Sequence, residues 1–382
     1  MQAKKRYLSL DVFRGAAVCL MILVNNPGSW SYIFGPLEHA AWHGLTPTDL
    51  VFPFFLFAVG NAMAFVMPRT IEKGPSAFWK KVIWRSFLIF MIGLFLNWSP
   101  FFRWTDSGLE FIPWVTDDYT GVRILGVLQR IAIAYFLASI LVFYFSPKML
   151  LRIAVGILLA YWGIVFFGNP ADPYSMDGFI GNDLDRIILG IPHLYKGEGV
   201  PFDPEGILST LPVVSQVLFG YLVGRAITQQ DQSRPTILTT TLFVSAVGFL
   251  VIGYLWGLFF PINKKIWTSP FVLVTTGLAI TLIAYLIYWI EIKGKKGRWT
   301  KFFEVFGKNP LFIFALSGFL PEIATLIRFG DGVNPWNFLY QRILIHVPGP
   351  PEIGSHLYAV CVIIFMWAIA WWMDKKKIYI KV

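Results

Sequence analysis

The chain has 382 residues, of which 56% are hydrophobic, 18% aromatic and only 14% charged. An ordinary soluble domain carries about a quarter charged residues, so this composition excludes a soluble globular fold and points to a polytopic membrane protein. The net charge of +10 is then a matter of membrane topology, and no nucleic-acid partner is expected.

A membrane-crossing helix needs about 20 mostly apolar residues, and about ten runs meet that requirement. They centre near Leu20, Phe57, Phe90, Tyr135, Leu159, Phe219, Gly248, Ile280, Phe314 and Phe365. The expected fold class is therefore all-α, an integral membrane helix bundle in the lipid bilayer. Asp11 and Arg14 interrupt the first run, and Arg123, Gln129 and Arg130 the fourth. The ninth is the weakest, because Pro310, Pro321 and Glu322 break it. The opening MQAKKRYLSLDVFRG leads straight into a long span, so no cleavable signal is expected. Cys19 and Cys361 lie in apolar runs and are expected to be inert core thiols. No heptads, low-complexity tails or internal repeats are evident.

Lysine and arginine set the orientation. With the N-terminus inside and the runs alternating, the inner segments hold Lys4, Lys5, Arg6, Arg69, Lys73, Lys80, Lys81, Arg85, Lys148, Arg152, Arg225 and Arg234. Lys293, Lys295, Lys296, Arg298, Lys301, Lys375, Lys376, Lys377 and Lys381 fall on the same side. The bias over the outer segments is roughly three to one, which puts both termini inside and the loop around His39 outside. The outer loops are rich in Pro, Gly, Asp and Trp. Asp172, Asp177, Asp183 and Asp185 do not follow an EF-hand pattern, and a solvated acidic loop is the expectation there, with no metal.

Ionisable groups inside spans are costly and usually face a bundle interior or a wet cavity. Asp11 and Arg14 lie at i and i+3 on one helix face, either as an internal ion pair or as a cofactor contact. Arg123 and Arg130 are two turns apart, about 10 Å along a helix axis. A buried guanidinium seeks a carboxylate or a phosphate. A third set gathers at the outer rim: Asn25 and Asn26 end the first run, His39 and His43 precede the second, Asp203 and Glu205 open the sixth, and Asn263 and Lys264 open the eighth. Thr46 and Asp49 in TPTD have helix-capping chemistry, and Asp203 in FDPEG reads as an N-cap with Pro at the first helical position. Capping explains His39, Asn25 and Asn263 less well.

The stretches DVFRG, VNN and HAAWHGLTPTDLVFPFFLFAVG, followed by GVLQRIAIAY, FDPEGILSTLPVV, PINKKIWTSPFVL and GKNPLFIFALS, occur in order along nearly the whole chain. Together they resemble the heparan-α-glucosaminide N-acetyltransferase family, and most of all its bacterial branch of transmembrane acyltransferases. The resemblance implies one transmembrane acyltransferase domain over residues 1–382, without the additional N-terminal lumenal region and further span of the lysosomal enzyme. It also implies a bacterial cytoplasmic membrane location, acetyl-CoA as co-substrate, an amino-sugar acceptor and a homodimer. The family's essential histidine sits in the pattern H-x-x-W-x-G-L-T, which here selects His39, with Trp42, Gly44, Leu45 and Thr46 matching. Its active-site asparagine corresponds to Asn25. His43 stands where the lysosomal enzyme has asparagine, so no catalytic role is carried onto it.

N-acetylation needs a base near neutral pH, for which His39 is suited. It needs a donor for the thioester oxyanion, a role for Asn25. It also needs cations for the phosphates of coenzyme A, for which Arg14, Arg123, Arg130 and Lys264 are candidates. Asp49, Asp203, Glu205 and Asn263 are the candidates for binding the acceptor. His39 acts either as the base of a ternary complex or as an acetyl carrier. Trp30, Trp42, Trp104 and Trp114 either stack a sugar ring or belong to an interfacial belt. The competing function is a secondary transporter of an amino sugar, with Arg and His as ligands. A membrane scaffold is the third reading, and it would not require the His and Asn rim.

Overall fold

The computed structural model describes residues 7–116, 120–229, 235–329 and 333–380. Lys4, Lys5, Arg6, Arg234 and Lys381, counted above for orientation, lie outside them. The elements run α1 Leu8–Asn25, α2 Val51–Ile71, α3 Pro75–Trp98, β1 Phe102–Thr105, β2 Gly108–Phe111, α4 Val127–Tyr144, α5 Pro147–Gly168 and α6 Gly181–Ile188. They continue as α7 Thr210–Gln229, α8 Pro235–Trp256, α9 Ser269–Leu286, α10 Arg298–Lys308, α11 Pro310–Ala324, α12 Phe338–Arg342 and α13 Pro351–Lys375. Among the described residues nine helices are long and apolar enough to cross a membrane. The α10–α11 pair, bent by 79°, makes a tenth if counted as one span. The ten apolar runs fall on these helices in order, and the protein is an all-α, multi-pass membrane bundle.

Local chemistry explains the boundaries. Pro75, Pro147, Pro310 and Pro351 each open a helix, where the missing N–H costs nothing and the fixed φ suits the first turn. The ninth run is weak for a physical reason. Its first half, RWTKFFEVFGK, is amphipathic rather than apolar all round, and the chain bends at Asn309 and Pro310 before α11 crosses. The departure from helix is the β1–β2 hairpin between α3 and α4, with Arg103 opposite Glu110.

The most extensive helix pairing is α2 against α7. A Cβ on Gly60 would fall inside the Val217 carbonyl, and one on Gly220 inside the Phe57 carbonyl. Lipid gives no hydrophobic drive for helices to associate, so close backbone approach and polar pairs hold the bundle together. Gln216 of α7 donates to Thr276 of α9 at 3.0 Å, and Ser215 to the Ala154 carbonyl of α5 at 2.9 Å. Cys19 is partly buried, whereas Cys361 is exposed on α13. The expectation of two core thiols therefore fails for Cys361, whose helix turns that face outward.

Successive connections alternate between the two ends of the bundle. One end holds the start of α1, the α2–α3 turn and the end of α13. The other, here called the histidine end, holds residues 26–50, the hairpin, α6 and the 257–268 connection.

Candidate active site

His39 is placed by its own loop. Gly44 has φ +115°, a left-handed conformation that favours glycine, and its N–H donates to the Ile262 carbonyl at 2.8 Å. Trp42 anchors the same loop by donating to the Tyr174 carbonyl at 2.8 Å and packing edge-on to Phe202. These contacts dock residues 39–46 on the connection before α9. That connection is itself a tight turn. Asn263 accepts from the Ile266 N–H at 3.0 Å, and Thr268 accepts from the Asn263 N–H at 3.0 Å. Trp267 sits at φ +51°, a conformation costing about 1–2 kcal/mol for a residue with a side chain, and its indole is buried.

At the junction of the two loops stands His39. Its Nδ1 lies 2.7 Å from Asp49 Oδ1. The second carboxylate oxygen, Oδ2, accepts from the Ala40 N–H at 3.2 Å and the Thr46 N–H at 3.0 Å; the Thr46 hydroxyl lies 3.0 Å from it and donates its one proton to the Glu38 carbonyl at 2.7 Å. Asp49 thus caps the helix start, as its position in TPTD suggests, and also orients the histidine. The Asp49 side chain is 1% exposed and that of His39 is 46% exposed. A carboxylate can only accept, so the proton of neutral His39 is assigned to Nδ1 and the lone pair to Nε2. The third member is Lys264. Its Nζ lies 2.9 Å from Nδ1, 3.2 Å from Nε2 and 3.5 Å from Asp49 Oδ1. Burial holds the Lys264 ammonium below the ordinary lysine range, against the pull of Asp49 and Glu205.

His43 and Asn263 stand beside this triad, with Asn263 Nδ2 3.3 Å from His43 Nδ1. Burial lowers the His43 imidazole from its usual range. Asn25 is exposed at the last turn of α1, and neighbouring Asn26 caps its own helix through the Ile22 carbonyl at 3.0 Å.

A second polar group braces the same end. Arg123 reaches Asp203 through Nε at 3.0 Å and Nη2 at 2.6 Å, and also pairs with Glu205. Burial works against its charge, but Glu205 and Asp203 outweigh that and raise its pKa above the ordinary guanidinium. Arg130 is 0% exposed. It donates to the Gly206 carbonyl at 3.2 Å and to the Ser209 hydroxyl, and lies 5.2 Å from the Trp267 ring centroid. The reading of Asp203 as a helix N-cap is corrected: α7 begins at Thr210, and the Asp203 carboxylate instead accepts from the Glu205 N–H at 2.9 Å and binds Arg123.

Arg14 lies elsewhere. It pairs with Asp11 at 3.5 Å and donates to the Gly307 carbonyl at 3.1 Å. Both residues line a cavity of about 470 Å³ between α1, α2, α3, α4 and α11, at the end opposite His39. The four cations read from the sequence therefore do not converge on one point. Lys81, Arg85 and Lys308 also line this cavity. Sequence reasoning counted Lys81 and Arg85 only as orientation charges, and helix packing alone brings them together with Arg14. On α2 the cavity wall runs from Val66 to Phe55, about 16 Å of helix rise.

The structure is thus that of a multi-pass membrane bundle with a carboxylate–histidine pair open at one end and a cation-lined cavity at the other. The comparisons with known proteins narrow this. The family model described as heparan-alpha-glucosaminide N-acetyltransferase, catalytic, matches residues 6–254, and the chain belongs to that family. The human heparan-alpha-glucosaminide N-acetyltransferase is 27% identical over 341 residues, covering 76% of this chain and 49% of the human protein. The mouse protein of the same name is 27% identical over 436 residues of alignment, covering 99% of this chain and 60% of its own length. The chain thus spans about half to three-fifths of the curated relatives it matches. The family match includes His39, Asn25 and Asp49 and ends before Asn263 and Lys264.

Proposed function

We propose that the protein is a transmembrane N-acetyltransferase that moves acetyl from acetyl-CoA to the amine of a glucosamine-type sugar. The observation that carries this reading is the His39–Asp49 pair, 2.7 Å apart within the family match. Coenzyme A enters the 470 Å³ cavity, where Arg14, Lys81, Arg85 and Lys308 supply charge to its phosphates. The positive-inside rule makes that end cytoplasmic. Its pantetheine arm runs along α2 toward the histidine end. Phe55, the far wall of the cavity on α2, lies six residues from Asp49, about 9 Å of helix rise.

The acceptor amine approaches His39 from the open side. Asp49 holds Nδ1 protonated, so Nε2 takes the proton of the attacking nitrogen. Asn25 and Asn263 border the acceptor, while Asp203 and Glu205 act through Arg123 to hold the 203–209 turn in place. The test is transfer of labelled acetyl from acetyl-CoA to glucosamine by purified protein. Label on the sugar amine with wild type, and none with His39→Ala of equal folding quality, is the expected result. No labelled sugar and no acetyl-CoA binding would overturn the proposal, and uptake of amino sugar would then be the assay to run. A trapped acetyl-imidazole or ping-pong kinetics would assign His39 as carrier rather than base.

A further inference from the structure

Lys264 was expected at a coenzyme A phosphate. It stands instead against the imidazole, at the end of the bundle opposite the cation-lined cavity. From this geometry we infer that Lys264 is a catalytic residue, the cation that receives the oxyanion formed when the acceptor amine attacks the acetyl thioester. The inference rests on the acetyltransferase reading and deepens it at the same site.

The argument starts from Nε2. It is the one ring nitrogen with a lone pair, because Nδ1 keeps its proton and donates it in a hydrogen bond to Asp49. Lys264 Nζ lies 2.9 Å from Nδ1 and 3.2 Å from Nε2, over the ring rather than along the Nε2 lone pair, which stays open. An amine about to lose its proton to Nε2 takes that open position, about 3 Å away, and the ammonium stays beside it over the ring. The acyl carbon bonds to that amine nitrogen. Its oxygen therefore develops negative charge beside that ammonium, within reach of an oxyanion donor, about 2.7–3.1 Å.

The step balances as follows. The amine nitrogen bonds to the carbonyl carbon, and the C=O pair moves onto oxygen, where Lys264 holds it. The N–H proton passes to His39 Nε2. The oxyanion then collapses, the C–S bond breaks, and the thiolate of coenzyme A takes the proton from His39.

The surroundings keep the ammonium available. It has one close carboxylate, Asp49 at 3.5 Å, already saturated by His39, Thr46 and Ala40. Glu205 faces it electrostatically but is bound to Arg123, and Lys265 beside it is bound to Glu198. The charged and titratable neighbours are therefore Asp49, His39, Glu205 and Lys265, of which Asp49 and His39 contact Nζ. Burial lowers the lysine from its usual range, so the donor is lost as the pH rises through that lowered value.

The experiment is steady-state acetyl transfer by wild type, Lys264→Met and Lys264→Arg, each across pH 6–10. Lys264→Met should lower kcat by about 100- to 1000-fold, the loss seen when one oxyanion donor is removed, with KM for acetyl-CoA within about threefold of wild type. Lys264→Arg should keep part of the rate and lose the alkaline fall in kcat, because guanidinium stays charged. A kcat for Lys264→Met within threefold of wild type would overturn the inference, as would a raised KM with unchanged kcat. Should Lys264→Met fail to fold, an alkaline limb identical in wild type and Lys264→Arg would overturn it equally. Wild type that transfers no acetyl group at all fails the acetyltransferase reading itself, which separates the two outcomes.

Discussion

Replacing Asp49 by Asn tests how His39 is held. The side chain keeps its size, so the effect comes from one oxygen becoming a donor. Two orientations are open to the amide. With its nitrogen at the Oδ2 position it would face two donors, the Ala40 N–H and the Thr46 N–H. With its nitrogen at the Oδ1 position it faces only His39 Nδ1 and the Lys264 ammonium at 3.5 Å. Each unsatisfied buried donor costs about 1–3 kcal/mol, so the second orientation wins. The amide then donates to Nδ1, the ring proton moves to Nε2, and the lone pair that should accept the substrate proton is gone. The equivalent change in a carboxylate–histidine pair lowers kcat by about 10⁴ with geometry intact. The assay is acetyl transfer at saturating acetyl-CoA, with KM and apparent melting temperature measured alongside. A kcat within tenfold of wild type would refute the assignment of Nε2 as the base.

Three further outcomes follow from other parts of the structure. Arg85→Ala should raise KM for acetyl-CoA about 10- to 100-fold, the value of a charge-assisted hydrogen bond, with kcat nearly unchanged; an unaltered KM would remove the phosphates from the cavity it lines. Asp185, held up at about 6 by burial against the pull of the Ile207 N–H, keeps its proton in the fold between about pH 4 and pH 6, where the unfolded chain has lost it. Stability therefore falls as pH rises through that window, by up to about 3 kcal/mol. Asp185→Asn should abolish that fall, read as a melting-temperature difference from wild type that grows between pH 4 and 6.5, and a pH-independent difference would refute it. Gly60→Val should cost at least ~2 kcal/mol by forcing α2 from α7, whereas Gly156→Val, which meets no neighbouring atom within 4 Å, should melt like wild type.

The spans were legible because membrane helices are apolar all round, a signal that survives without knowledge of the partners. The α10–α11 bend was legible only as a weakness, since an amphipathic half-span and a proline look like a failed span until α10 is seen packed on α1. The site was legible in a different way. His39 stood out through its motif, while its chemistry did not. Asp49 was visible as a helix cap, and nothing in a ten-residue separation reveals that the same carboxylate closes on the imidazole. That depends on the loop doubling back at Gly44 to meet Ile262.

Lys264 lies 225 residues from His39 in sequence, and no local pattern pairs them. The same limit explains the cavity. Lys81 and Arg85 follow the positive-inside bias, which accounts for a cation at that end of a helix without saying which way it points. Packing of α3 on α4 turns Arg85 inward, over the Tyr135 ring at 4.8 Å. On the proposed function, charge that orients the chain and charge that binds a phosphate are the same residues seen at two levels. An acetyltransferase working across a bilayer benefits from that economy. In the proposed reaction, the end that the positive-inside bias makes basic is the end where the anionic donor enters, and the opposite end holds a neutral imidazole for an amine.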